Sequence, residues 1–295
     1  MPCDSRLAGT TLGPFEYDVD QFWTMAYAAG LGDASPRYLD SLKSGQVVAH
    51  PVFPVCLALR AMGPMDRLFF DAGLTHEESI RRVHATQDMV IHRLIKPPEK
   101  LLVTTTLALM ERRRPGTYVV TRYEVTGTDG ASVSTVNWGR IFRNVELSGP
   151  DRLTAKIAAP PAPPKWDGVV RGSFAIPIAA TAAIVYTACA RLGNPVNFHT
   201  DTVEAGRSGL PAPILMGVAT LGMSVSKIIE SEADGDPERV ARIYGRFGAM
   251  VLMPSEVTVR SLARERYHDG DAVFFETINA DGGSAIRDGV VVLRR

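Results

Sequence analysis

Residues 27–40 read YAAGLGDASPRYLD, and residues 188–201 read ACARLGNPVNFHTD. Asp33 and Asn194, Tyr38 and His199, and Asp40 and Asp201 are each separated by 161 positions. Further on, AHPVFPV around Pro51 lines up with PAPILMG around Pro213 at a separation of 162. Each is followed by a stretch of helical character, VCLALRAMGPMDRLFFDAG in one case and GVATLGMSVSKIIESEA in the other. Later pairs, Pro98 with Pro254 and Gly130 with Gly282, keep the order of features while the separation falls to 156 and then 152. Matches that recur in the same order at a slowly drifting period mark an internal duplication.

Local patterns agree within each copy. Residues 19–31 and 178–192 are Ala-rich and stop at Gly32 and Gly193, where glycine favours the end of a helix. Segments 101–110, 117–127 and 132–143 are strand-like and punctuated by Pro115-Gly116 and Asp129-Gly130. Segments 255–264, 271–279 and 285–294 repeat that layout. A helix, a loop, a longer helix and a strand meander predict an α+β unit whose sheet wraps a central helix. The domain reading is 1–145 for the first copy, 146–170 for a Pro-rich linker centred on Pro160–Pro164, and 171–295 for the second copy.

Composition narrows the function. Lys+Arg and Asp+Glu balance at 32 each, which excludes the basic footprint of a nucleic-acid binder. The apolar runs near 174–190 and 212–228 are interrupted before they reach membrane-spanning length. The N-terminal residues lack an apolar signal core, and Cys3, Cys56 and Cys189 are odd in number and widely spaced. Both features predict a cytoplasmic protein with reduced thiols. His84 and His92 are spaced to share one face of a strand, without a metal-ligand pattern around them, and no metal is expected. No Gly-rich strand-to-helix loop of nucleotide-binding type is present.

The polar cluster from Asn194 to Asp201 interrupts an apolar neighbourhood, and Pro213-Ile214-Leu215-Met216-Gly217 then opens a helix. A histidine beside a helix N-terminus pairs a titratable base with a backbone N–H, that of Gly217, able to hold a developing oxyanion. That pairing suits proton transfer next to a carbonyl.

These residues resemble the MaoC-like, (R)-specific enoyl-CoA hydratase (hydratase 2) family. It carries Asp-x-Asn-Pro-(Leu/Ile)-His-x-Asp, followed by Pro-Ile-(Leu/Val)-His-Gly at the start of the central helix. The match is carried by His199 and Asp201 in the loop, and by Pro213, Ile214, Leu215 and Gly217 at the helix. The first copy resembles the degenerate partner of duplicated members. The resemblance implies an α+β double hot dog: two antiparallel sheets, each wrapping a central helix, merged into one continuous sheet. It also implies a hydratase/dehydratase of 2-enoyl or 3-hydroxyacyl thioesters, on CoA or an acyl-carrier protein, in fatty-acid or polyketide metabolism, without a cofactor. His199 would be the acid/base and the Gly217 N–H the oxyanion donor.

The departures are specific. The family's catalytic Asp position holds Asn194, whose carboxamide orients water but cannot take its proton. The family's second His is Met216, at the tunnel mouth, and the first copy keeps Asp33 but has Tyr38 in place of the His. Asp201 is read as a loop anchor beside the substrate, Tyr38 as a tunnel-lining candidate and Arg207 as a candidate for CoA phosphate. His50 is read as a surface or packing residue, and the run Arg112–Arg114 as a solvated edge. The alternative is a catalytically impaired acyl-thioester-binding or scaffold protein, and thioester hydrolysis stands third. A homodimer of double hot dogs is compatible with the resemblance.

Overall fold

The computed structural model describes residues 2–193 and 196–295; Asn194 and Pro195 lie outside the described residues. In the first copy, strand β1 (Thr11–Val19) leads into helix α1 (Gln21–Gly30), whose N-terminus is capped by the Asp20 carboxylate accepting from Trp23 N–H at 2.7 Å. Helix α2 (Pro54–Asp71) follows, then β2 (Arg82–Ile91), β3 (Glu99–Arg113), β4 (Gly116–Gly127) and β5 (Ser132–Arg143). The second copy runs β6 (Gly172–Ile178), α3 (Ala182–Cys189), α4 (Gly217–Glu232), β7 (Val240–Phe247), β8 (Ser255–Tyr267), β9 (Gly270–Asn279) and β10 (Ser284–Leu293).

The sheet order is β1-β3-β4-β5-β2-β7-β10-β9-β8-β6, one continuous path within an 11-stranded sheet whose remaining member, Arg152–Leu153, pairs with β3. The order reads as a strand sequence followed by its mirror, so the duplicated units meet along β2 and β7. The long strands alternate buried and part-exposed residues, as in β3 from Leu101 to Leu107, which gives the sheet an apolar inner face. Helix α2 packs on β1, β3 and β5, and α4 packs on β7 through β10. Helices α1 and α3 touch across the centre, so closely that a Cβ on Gly30 would sit 2.8 Å from that of Cys189. A single apolar core draws on both copies, from Tyr27, Phe53, Leu57 and Met89 to Tyr186, Leu221, Ile243 and Val273. The expected double hot dog with a merged sheet is the observed fold.

At the β2–β7 joint, Arg242 lies opposite Val90 and Tyr244 opposite Asp88. The Arg242 guanidinium grips the Asp88 carboxylate with Nε and Nη2 at 2.8 and 2.9 Å, both side chains about nine-tenths buried. Its remaining donors go to the carbonyls of Ala158 and Ala159 in the linker, at 2.7 and 2.9 Å. Asn137 of β5 donates to the same carboxylate at 3.3 Å. One ion pair therefore fastens the two copies together and the linker across them.

The spacing argument for His84 and His92 does not hold in the folded chain. A register shift between His84 and Thr86 turns His84 to the inner face, where it stacks on Trp138 at 3.8 Å. His92 lies beyond the end of β2 and bonds Thr135 Oγ1 at 3.2 Å. No helix among the described residues is long and apolar enough to cross a membrane.

Removing one partner of a buried pair strands the other charge. Asp88→Asn is expected to cost about 3 kcal/mol in urea unfolding and to open trypsin cleavage at Lys156 and Lys165. Unchanged stability and an intact linker would show that the joint does not depend on this pair.

Candidate active site at the start of helix α4

Residues 196–201 form a tight loop in which the Asn197 side chain accepts from His199 N–H at 2.8 Å. The Asp201 carboxylate accepts from Val203 N–H and Glu204 N–H, both at 2.9 Å, and so starts the short helix Thr202–Arg207. Asp201 thus serves as a loop anchor. The His199 ring reaches the helix turn, with Nδ1 at 2.8 Å from the Ile214 carbonyl oxygen. A carbonyl only accepts, so the ring proton sits on Nδ1 and the lone pair on Nε2. Burial pushes the His199 imidazole below its ordinary pKa of 6.5, and the bond to Ile214 offsets that in part. The ring is therefore a neutral base at physiological pH.

The same turn presents the N-terminus of α4. Leu215 N–H donates to Val251 O at 2.8 Å and Ile214 bridges to Leu252, which pins the turn to the sheet. Met216 precedes the helix and is buried. Among the described residues, Gly217 N–H has no acceptor. Phe247 of β7 packs so closely that a Cβ at Gly217 would lie 2.7 Å from its ring, so this position accepts no side chain without moving the ring. Base and N–H donor are thereby held on one short turn, with a residue pair between the anchoring Ile214 carbonyl and Gly217.

His199 reaches this turn through the Ile214 carbonyl, and Met216 and Gly217 follow on the same turn. Arg207 is not part of that group: its guanidinium pairs with Glu204 at 2.5 Å and its side chain is 71% exposed. Tyr38 is buried in the first copy against His50, with ring centroids 5.3 Å apart. Asn194 lies outside the described residues. Among the described residues no carboxylate bonds to His199 and no cluster could hold a metal ion. One open cleft of about 590 Å³ lies beside Arg114 and Asn144, and another of about 740 Å³ lies under the linker between Tyr118 and Tyr244. Neither is lined by His199.

The first copy shows why its equivalent position differs. Ala49 N–H donates to Ile95 O, as Leu215 N–H donates to Val251 O, both at 2.8 Å. Ile95 and Val251 are related by the separation of 156 seen at Pro98 and Pro254. This register sets His50 opposite Met216 and Pro51 opposite Gly217, shifted from the match of Pro51 with Pro213. Proline has no N–H, so the first copy lacks a backbone donor where the second presents the N–H of Gly217. His50 fills the space: it is fully buried, its Nδ1 accepts from Val52 N–H and its Nε2 meets Ser226 Oγ, both at 3.1 Å. His50 is thus a packing residue and not a surface one. Two contributors escaped the sequence reading, Asn197 and Phe247. The Asn-x-His spacing of a side-chain-to-backbone turn would have flagged the first, whereas nothing local marks the second.

Residues 6–136 match the family model described as FAS1-like, dehydratase domain region. The chain is 25% identical over 265 residues to enoyl-CoA hydratase ChsH3 of Mycobacterium tuberculosis, covering 88% of this chain and 89% of that one. It is 35% identical over 101 residues to the peroxisomal enoyl-CoA hydratase 2 of Arabidopsis thaliana, a match of 34% of this chain and only 30% of the plant enzyme. The MaoC-like dehydratase of Phytophthora capsici superposes with a TM-score of 0.83 at 19% identity, over 99% of this chain and 97% of that one. The chain has a double hot-dog fold. Within this fold the His199–Gly217 turn belongs to the second copy, whereas the family model matches the first.

Burial pushes the His50 pKa down to about 4 from 6.5. The folded state then resists a proton that the unfolded chain accepts, so stability is full above pH 6.5 and declines as the pH falls from there towards 4. Replacing His50 by Asn is expected to remove about 1.4 kcal/mol per pH unit from that slope, read by urea unfolding between pH 7 and pH 5. An unaltered slope would place the acid sensitivity elsewhere.

Proposed function

We propose that this protein is a hydro-lyase that adds water to, or removes it from, an acyl thioester of the 2-enoyl/3-hydroxyacyl type. The observation that carries the reading is the Nδ1 bond of His199 to Ile214, which leaves Nε2 basic beside an N–H donor without a partner. The substrate relation comes from the relatives, which are named enoyl-CoA hydratases.

In the hydration direction, Nε2 of His199 takes a proton from water as the oxygen bonds to C3. The C2=C3 electron pair moves towards the thioester, and the charge arriving on its oxygen is held by Gly217 N–H at the positive end of α4. The imidazolium returns the proton to C2 as the enolate collapses, so water adds across the double bond and the ring ends neutral. Asn194 would orient the water through its carboxamide and leave the proton traffic to His199. The Phe247 ring and the buried Met216 keep bulk water from the turn. The carrier is CoA or an acyl-carrier protein, and the enzyme would work in fatty-acid or polyketide metabolism.

His199→Gln keeps ring-sized polarity but removes the base, and hydration of 2-enoyl-CoAs is expected to fall about 10²–10⁴-fold. Because burial holds the ring's pKa below its ordinary 6.5, the acidic limb of kcat/KM should lie below pH 6.5. Asn194→Asp should raise the rate by supplying a second acid/base. Loss of enoyl-thioester absorbance follows all three. Absence of turnover on every enoyl-CoA tested, with acyl-CoA affinity untouched by His199→Gln, would favour the acyl-binding alternative, which the lack of a carboxylate on His199 among the described residues supports. Release of free thiol would indicate hydrolysis instead.

A further inference from the structure

The N–H donor at the start of α4 has a wall beside it. Phe247 ends β7, and its ring atoms Cδ1, Cε1 and Cγ lie 2.7, 2.9 and 3.2 Å from where a Cβ on Gly217 would stand. The backbone that carries this ring is fixed on both sides. Gly248 N–H donates to Ala285 O at 3.0 Å and Ala249 N–H to Ser284 O at 2.8 Å, while Arg246 lies opposite Thr86 in the β2–β7 register.

The ring is also backed by the first copy. The His84 ring centroid lies 4.4 Å from that of Phe247, and His84 stacks on Trp138 at 3.8 Å with the two planes 6° apart. His84 Nε2–H donates to the Thr86 carbonyl at 3.0 Å, which fixes the imidazole within its stack. Trp138 of β5 is itself buried. Phe247 thus stands between Gly217 and a stacked pair that resists its retreat. At the base, the Phe198 ring lies 4.1 Å from that of His199. A thioester whose oxygen reaches Gly217 N–H brings the carbonyl carbon and C2 to the Phe247 wall. Adding one methyl group to a packed site forces its neighbours to move, which is costly. A branch on C2 meets that cost next to the donor, whereas chain added beyond C3 lies farther from it.

We propose that Phe247 is a specificity-determining residue that selects acyl groups unbranched at C2, and that His84 of the first copy is the positioning residue that holds its ring in place. The proposal rests on the thioester reading above, and its test separates the two. Calorimetric binding would compare butanoyl-CoA with its isomer 2-methylpropanoyl-CoA, which differ in the placing of one carbon and need no turnover. Butanoyl-CoA should bind about tenfold more tightly. Phe247→Ala should bring the two esters close to equal affinity, chiefly by improving the branched one. Phe247→Leu, a milder change should the Ala variant not fold, should narrow the preference part-way. His84→Ala should narrow it as well while affinity for butanoyl-CoA stays, whereas a merely structural role would weaken both esters together. Equal affinities in the native protein, or a preference that survives the Phe247 variants unchanged, would overturn the proposal. Failure of both esters to bind would overturn it along with the thioester reading. If the preference holds and yields to the variants, yet no 2-enoyl-CoA is hydrated, the lyase reading falls and the Phe247 wall stands.

Discussion

The β2–β7 joint is the constraint on which the rest of the molecule depends. Two duplicated units, each too small to cover its own sheet edge, pair those edges and remove them from water. The Asp88–Arg242 pair sits at the seam and satisfies three elements at once: both edge strands and the linker. Its burial is affordable because almost every donor and acceptor is used, in contrast to Arg140, a few residues away on the opposite face of the sheet. The seam makes one core out of two, and it brings His84 and Trp138 of the first copy against Phe247 of the second.

Fusion permits division of labour. A symmetric pair of hot dogs would have equivalent turns at both central helices, but here the turns have diverged in a way that chemistry can read. In the second copy a glycine under Phe247 leaves its N–H open, and His199 is tied to the same turn by a single hydrogen bond. In the first copy a proline stands in register with that glycine, and a buried neutral histidine occupies the space. The first copy then serves the second copy's turn from outside, by backing the ring of Phe247.

Much of this was legible in the residues. The repeated order of helix, turn and meander gave the duplication, because each copy needs the same apolar periodicity to close its sheet on its helix. His199 and Gly217 stood out because a lone polar loop beside a helix start has few other uses. Asp201 was legible as a loop anchor because Asp40 holds the same place in the first copy. The reading failed where a side chain's environment comes from another strand. A bulge between His84 and Thr86 reversed the facing inferred from an even spacing. For His50 the residues left surface and packing open, and only the fold shows it enclosed as a packing residue. Arg207 looked available for phosphate and is held by Glu204.

By itself the sequence determined the fold class, the duplication and the identity of the turn that carries base and helix N-terminus. All three are written in short-range features: periodicity, turn residues and local motifs. Only the tertiary structure decided the tautomer of His199, the register that sets Pro51 opposite Gly217, and the backing of Phe247 by His84 and Trp138. Those depend on which carbonyl, strand or ring arrives from far along the chain, and the energy of a buried polar group is set by that partner rather than by its neighbours in sequence.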